Sequence, residues 1–251
     1  TKEPEANYSK EIVFGEFHNK TKNYFSGPKS ELPEESGGWC DYMVELEFFK
    51  SMPEGIRKDA WFLTKVTMTG QERNPETGRY PLLNWDDPAT NQKHPYWKKN
   101  IDWVFNYDDG YYETKGISSA SGKTRMIFRY ADILLLYAEA VAYGTKSIDD
   151  LAFDCMWRVQ ERAGVPLISK DVTKEYFQKA VLDERRWETA GMEHSCMGRF
   201  FTMQRHEILH LQKNYRDAAE LSLNPNLTLS EEFYYFPIPD NELLIVPGLK
   251  D

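Results

Sequence analysis

The sequence predicts a mainly α fold, with helix hairpins that follow a long irregular region holding only short β-strands. Three observations carry that reading. After Arg125, apolar residues recur at helical spacing between clear stop signals. Residues 70 to 124 are interrupted by Pro75, Gly78, Pro81, Pro88, Pro95, Gly110, Gly116 and Gly122, too often for long elements. Before them, two runs alternate or cluster as strands do.

Taken in order, Glu11 to Phe17 reads as a strand and Asp59 to Met68 as a second, with Trp61 assigned to the core. Asp41 to Met52 between them reads as a short helix that Pro53 stops. The irregular stretch that follows holds Tyr80, Trp85, Tyr96, Trp97, Trp103, Phe105, Tyr107, Tyr111 and Tyr112, and a loop this aromatic is either functional or packed on its own side chains. A first helix from Arg129 to Tyr143 is apolar nearly all round and so is expected to be buried, with Gly144 as its stop. Ser147 and Asp150 open a second helix that ends at Gly164 and Pro166. Thr173 opens a third, closed by Gly191, and Met197 to Leu211 forms a fourth whose stripe is Met197, Phe200, Phe201, Ile208 and Leu211. Two such hairpins suggest a tetratricopeptide-like array, and an array that short is expected to have partner helices outside this chain.

Composition excludes several classes. The 251 residues carry 40 acidic and 31 basic side chains, and a net charge of -9 repels phosphate backbones, so nucleic acid is not an expected partner. Cys40, Cys155 and Cys196 form neither a disulfide framework nor a zinc ribbon. No apolar run is long enough to span a bilayer, and Thr1 to Glu5 is not a signal peptide. A start without Met leads to the expectation of a processed or excised fragment.

Three constellations could carry chemistry. On the third helix Glu184 and Glu188 share a face, where Arg129, Arg162 or Arg199 from neighbouring helices can pair with them; with Arg186, these residues are expected to form a structural ion-pair network. His206-Glu207-Ile208-Leu209-His210 matches the His-Glu-x-x-His pattern, which on a helix offers two zinc ligands and a base. Its third ligand would have to be a distant acid such as Glu231 or Glu232, and the histidines lie opposite the apolar stripe, so a solvated face is the expected role of His206 and His210. The functional expectation falls on aromatic rings. Sugar C–H faces stack on flat rings while hydroxyls need amide or carboxylate partners nearby, and Trp39, after the flexible Ser36-Gly37-Gly38, fits that demand together with Trp85, Tyr96, Trp97, Asn84 and Asp86.

Four segments in order, Arg129 to Ala140, Arg162-Ala163-Gly164, Leu182 to Glu188, and Phe236-Pro237-Ile238-Pro239 with Glu242 and Pro247, resemble the C-terminal region of the SusD/RagB family. Glu11 to Phe17 and the loop around Lys115 are fainter matches. The pattern departs from the family after Gly191, where the usual Asp-Leu between Arg199 and Arg205 is missing, and the family's N-terminal part is expected to lie outside this sequence. The resemblance implies a SusD-like fold divided into a loop-rich ligand-binding part, residues 1–124, and a helical part, residues 125–251. It further implies a surface-exposed outer-membrane lipoprotein that binds an oligosaccharide or polysaccharide and works with a SusC-like TonB-dependent transporter. No catalysis and no cofactor are implied, and the membrane contact would be a lipid anchor on the N-terminal part. Two alternatives stay open, a zinc-dependent peptidase built on His206 and His210 and a tetratricopeptide-type adaptor that grips a protein.

Overall fold

A computed structural model describes residues 9–18, 25–26, 29–99, 110–113, 120–121, 124–191, 195–211, 216–223, 234, 237–246 and 248. The elements of the first two-fifths are β1 (Ile12–Glu16), β2 (Phe25–Ser26), a 3-10 turn at Glu34–Ser36, α1 (Leu46–Ser51), α2 (Ile56–Trp61), β3 (Phe62–Leu63), β4 (Lys65–Thr67), β5 (Leu82–Asn84) and β6 (Tyr96–Trp97). After them come β7 (Ala120–Ser121), β8 (Arg125–Arg129), α3 (Tyr130–Tyr143), α4 (Asp150–Ala163), α5 (Lys174–Thr189), α6 (Ser195–Arg205), α7 (Ala218–Leu223) and α8 (Asp240–Ile245). The chain divides into two compact units, Thr1–Cys196 and Met197–Asp251. Helices α3 to α5 thus share a unit with the loop-rich region, and no unit boundary falls near residue 124.

In the first unit α3, α4 and α5 enclose a core of Leu134, Leu135, Ala138, Phe153, Met156, Val159, Phe177 and Val181. Phe153 and Phe177 meet edge to face at 4.9 Å, a geometry worth about 0.5–1.5 kcal/mol beyond the area it buries. The helix starts are chemically explicit. Asp149 accepts from the Ala152 N–H at 2.8 Å and Thr173 from the Tyr176 N–H at 3.2 Å, each satisfying a donor that has no intrahelical partner. The cap of α4 is therefore Asp149 rather than Ser147. Helix α3 corrects the expectation of burial all round. Ala131, Leu134, Leu135, Ala138 and Ala142 face the core, while Tyr130, Ile133, Leu136 and Tyr137 on its outer side are exposed.

Four two-stranded antiparallel ladders, β1–β8, β2–β7, β3–β6 and β4–β5, close the strand pairing among the described residues. Strand β1 lies where it was expected and pairs Phe14 with Phe128 and Glu16 with Arg125. The second expected strand differs. Its first part, with Trp61, forms α2, and only Phe62–Leu63 and Lys65–Thr67 are extended. Trp61 is buried nonetheless, with Val44, Phe48, Met52 and Phe62. The helix expected over residues 41–52 starts only at Leu46, where Glu45 accepts from the Phe48 N–H at 2.6 Å.

In the second unit, α6 ends at Arg205, short of the expected Leu211, and Thr202, Met203 and Leu209 are buried while Phe201 is exposed. The expected stripe through Phe201 is therefore not the buried face. Pro239 precedes α8, whose Leu244 and Ile245 are exposed. No helix among the described residues is long and apolar enough to cross a membrane.

Candidate functional site

Two regions gather the chemically conspicuous side chains, one buried and charged, the other exposed and aromatic. The charged one is centred on α5. Glu188 Oε1 accepts from Arg129 Nη1 at 2.8 Å and from Arg162 Nη2 at 2.6 Å, while its Oε2 lies 3.2 Å from Arg57 Nη1. Arg57 also pairs with Glu184 at 2.5 Å, and Arg162 with Glu11 at 2.7 Å. Arg129 adds a bond to the Glu188 carbonyl at 2.9 Å, and its backbone N–H donates to Asp132 at the start of α3. Guanidinium groups suit this role because each presents several fixed donors to planar carboxylates.

Burial alone would raise the Glu188 carboxyl, but Arg129, Arg162, Lys99 and Arg57 outweigh it and hold it at about 2. For Glu184 burial wins and pushes the carboxyl up, with Arg57 acting against it. Arg57 was not singled out from the sequence, since it lies 131 residues from Glu188. Arg186 reaches other partners as well. It donates to Ser51 Oγ at 2.8 Å and lies over the rings of Phe48 and Trp187. Arg199 lies on α6, within the second unit.

The exposed region is formed by the loop from Lys29 to Glu45 and the segment from Asn84 to His94. Trp39 is 50% exposed and Tyr42 is 63% exposed. Their backbone is tied down. The Trp39 N–H donates to the Lys29 carbonyl at 2.7 Å, Gly38 to Pro33 at 2.9 Å, and Tyr42 to Ser30 at 3.1 Å. Ser36, fully buried, bonds the Thr67 carbonyl at 2.9 Å and the Tyr112 hydroxyl at 2.8 Å. The expected flexibility of Ser36-Gly37-Gly38 is thereby corrected. Gly38 is needed for close approach, since a Cβ there would collide with the Leu32 backbone. The two segments are joined edge to edge. Asn91 N–H donates to Glu35 at 2.5 Å, Val44 N–H to the Pro95 carbonyl at 3.0 Å, and His94 Nδ1 lies 2.8 Å from the Val44 carbonyl.

Of the other expected ring platforms, Tyr96 is corrected outright. It is 1% exposed, in a core with Leu32, Leu63, Val66 and Tyr112, so neither ring face can receive a ligand. Trp97 packs against Phe48 and Phe62 at 6.0 and 5.5 Å and closes on Gly191 so tightly that a Cβ there would strike its ring. Trp97 is thus half-buried, wedged against the core with one part of its ring covered by Gly191. Trp85 is half-buried, with its ring edge-to-face against Phe49. Asn84 and Asp86 are exposed, and Asn84 Oδ1 accepts from Lys65 Nζ at 2.5 Å. Tyr42 was missed because residues 41–52 read as helix; its spacing three residues after Trp39 was the available signal.

The histidine pair loses the geometry a zinc motif needs. The helix ends at Arg205, Glu207 adopts a left-handed φ of 55°, and a 3-10 turn takes over at Leu209. His206 and His210 therefore do not sit one turn apart on a continuous helix, the arrangement that aims both imidazoles at one ion. Among the described residues no group of three His, Cys, Asp or Glu is placed to hold a metal. Glu231 and Glu232 lie outside the described residues, as do Trp103, Phe105, Tyr107, Lys115 and Phe236.

A family model described as the SusD family matches residues 10–251. The chain belongs to the SusD family. Among solved structures, a SusD superfamily protein from Parabacteroides distasonis is 18% identical with a TM-score of 0.68, over 95% of this chain and 48% of that one. One from Bacteroides vulgatus is 20% identical with a TM-score of 0.64, over 94% and 49%. Surface glycan-binding protein A from Bacteroides thetaiotaomicron, in complex with laminarihexaose, is 18% identical with a TM-score of 0.58, over 95% and 50%. At these identities the likeness shows the SusD fold. The chain spans about half the length of these solved relatives. No curated protein matches it.

Proposed function

We propose that this SusD family chain binds an oligosaccharide or polysaccharide at the outer cell surface through the face carrying Trp39 and Tyr42, and performs no chemistry on it. One observation carries the reading: two large, half-exposed or more exposed rings stand within four residues on a loop whose backbone is fixed by hydrogen bonds and a buried serine. A ring held this way stacks on a sugar without losing conformational freedom at the moment of binding. Asn84, Trp85 and Asp86, on the adjoining segment, supply polar partners for hydroxyls and a second ring edge. A relative of the same fold was solved with laminarihexaose, which supports a glycan as the ligand class. In this reading the protein is held at the outer membrane by a lipid anchor and hands its ligand to a SusC-like TonB-dependent transporter.

Affinity electrophoresis through gels containing neutral polysaccharides tests the binding. Retardation by at least one polysaccharide is expected for the intact chain, and its loss in Trp39→Ala; equal retardation of both proteins would move the site elsewhere. Co-purification with a SusC-like barrel from membranes tests the transporter assignment.

A further inference from the structure

The backbone that carries the two exposed rings is strained. Cys40, between Trp39 and Tyr42, has a left-handed φ of 55°, a conformation that persists in a residue with a Cβ only where the surroundings over-determine it. The Cys40 N–H donates to the Leu32 carbonyl at 3.1 Å, and Leu32 is fully buried in one core with Leu63, Val66 and Tyr112. On the other side of Trp39 stand Gly37 and Gly38, and glycine is the residue with the most backbone freedom to lose. Unless something fixes that pair, the ring sits on a hinge.

The fixing point is Ser36, immediately before the two glycines. Its Oγ donates to the Thr67 carbonyl at 2.9 Å and accepts from the Thr67 N–H at 3.2 Å, which ties the loop to β4. Beside it, the Glu35 carbonyl accepts from the N–H and the hydroxyl of Thr69, at 2.9 and 2.8 Å. The third party is Tyr112, 76 residues further along the chain. Its hydroxyl meets Ser36 Oγ at 2.8 Å and lies 3.2 Å from the Lys65 carbonyl, also on β4. Ser36 and Tyr112 are both almost fully buried, where a hydroxyl without a partner is costly, so the pair favours this one arrangement.

Resting on the glycan-binding role proposed above, we infer that Ser36 and Tyr112 are positioning residues for the ligand. Their buried hydroxyl pair, out of reach of any glycan, sets how tightly the face binds by holding Trp39 in place before the sugar arrives. A ring already fixed loses little freedom on stacking, whereas a ring on a loose glycine hinge must be ordered by the ligand. The hydroxyls act through the backbone, so their loss weakens every ligand of the face alike and leaves its choice among them unchanged.

The test compares the intact chain with Tyr112→Phe, Ser36→Ala, their double variant, Trp39→Ala and, as a control for stability, Val159→Ala in the core of α3 to α5. Affinity electrophoresis runs through gels of an α-glucan, a β-glucan, a mannan and a xyloglucan. Retention is expected to weaken about three- to tenfold in each hydroxyl variant, the ordering cost of one large side chain. The double variant should lose no more, because both substitutions act through one contact. Val159→Ala, destabilised with its loop intact, keeps full retention. Fluorine NMR of the chain labelled with 5-fluorotryptophan gives a second readout. The Trp39 resonance, identified by its absence in Trp39→Ala, shifts or broadens in both hydroxyl variants and stays in place in Val159→Ala. Unchanged retention in the hydroxyl variants, an equal loss in Val159→Ala, or an unmoved Trp39 resonance overturns the positioning role and leaves glycan binding standing. No retention of the intact chain on any gel removes the binding role, and the positioning role with it.

Discussion

The charge cluster around Glu188 and the face around Trp39 place strong chemical groups under opposite conditions. In the cluster, three guanidinium groups converge on one buried carboxylate, Arg57 from α2 and Arg129 from the junction of β8 with α3 buried with it, and Arg162 from α4 at the solvent edge. On the face, the Trp39 and Tyr42 rings stand in solvent while the backbone beneath them is hydrogen-bonded. The most perturbed carboxylate therefore belongs to the ion-pair network, while the exposed rings of the proposed binding face lie outside it. Perturbed carboxylates occur in structural ion-pair networks as well as in active sites, and the geometry here shows why the two should be separated before function is assigned.

The largest test of that separation is Glu188→Ala. It leaves buried arginines without their common partner, and a loss of about 3–5 kcal/mol is expected in denaturant unfolding. A loss below about 1 kcal/mol would mean that the cluster is solvated and the contrast with the face is weaker than drawn. Acid provides a second test of nearly the same size. Because Glu188 is held at about 2 against an ordinary 4.5, its contribution is complete above the ordinary value and is lost as pH falls toward 2. That amounts to roughly 3 kcal/mol by proton linkage. Glu184, pushed up by burial, works in the opposite sense, because the folded state takes up its proton more readily. Unfolding curves between about pH 6 and pH 2 should slope less in Glu188→Gln than in the unmodified chain.

Gly191→Ala comes next. The residue has φ +68° and its missing side chain is the space Trp97 occupies, so both backbone strain and overpacking act, for about 2 kcal/mol in thermal unfolding. That result would place Trp97 with the interior and sharpen the border of the face. The smallest effect is expected on the face itself. Trp39→Ala should change stability by no more than about 0.5 kcal/mol, with a melting curve that nearly overlays the original, even as polysaccharide retention disappears.

How much of this was legible beforehand differs between the same two regions. The helices α3 to α5 follow from local signals, namely period, Thr173 at the start of α5, and Gly164 at the end of α4, although the cap of α4 is Asp149 rather than the expected Ser147. The charged residues of α5 were legible for the same reason, since Glu184 and Glu188 share a face by spacing alone. Arg57 was not, because nothing local says that a short helix 127 residues earlier will dock against Glu184. Within the irregular region the aromatic content was visible, but the fate of each ring was not. Trp39 stays outside because its loop is bonded flat onto its own backbone, whereas Tyr96 and Trp97, similar in composition and setting, are carried inward by pairing of β6 with β3. Strand pairing between segments more than thirty residues apart leaves no periodic mark in either. The helix break at Glu207 was likewise invisible, since Ile208 and Leu209 suit a continuing helix.

Glu188 also bears on how the first unit comes together. Arg57, Arg129 and Arg162 are separated from it by 131, 59 and 26 residues, so each compensating charge arrives only after a different loop has closed. Until the last one closes, a partly assembled unit would hold a guanidinium or a carboxylate away from water without a partner, and such half-formed states are strongly disfavoured. The cluster therefore acts as a coincidence detector for folding. It penalises intermediates that bury Glu188 before Arg57 and Arg129 have docked against it.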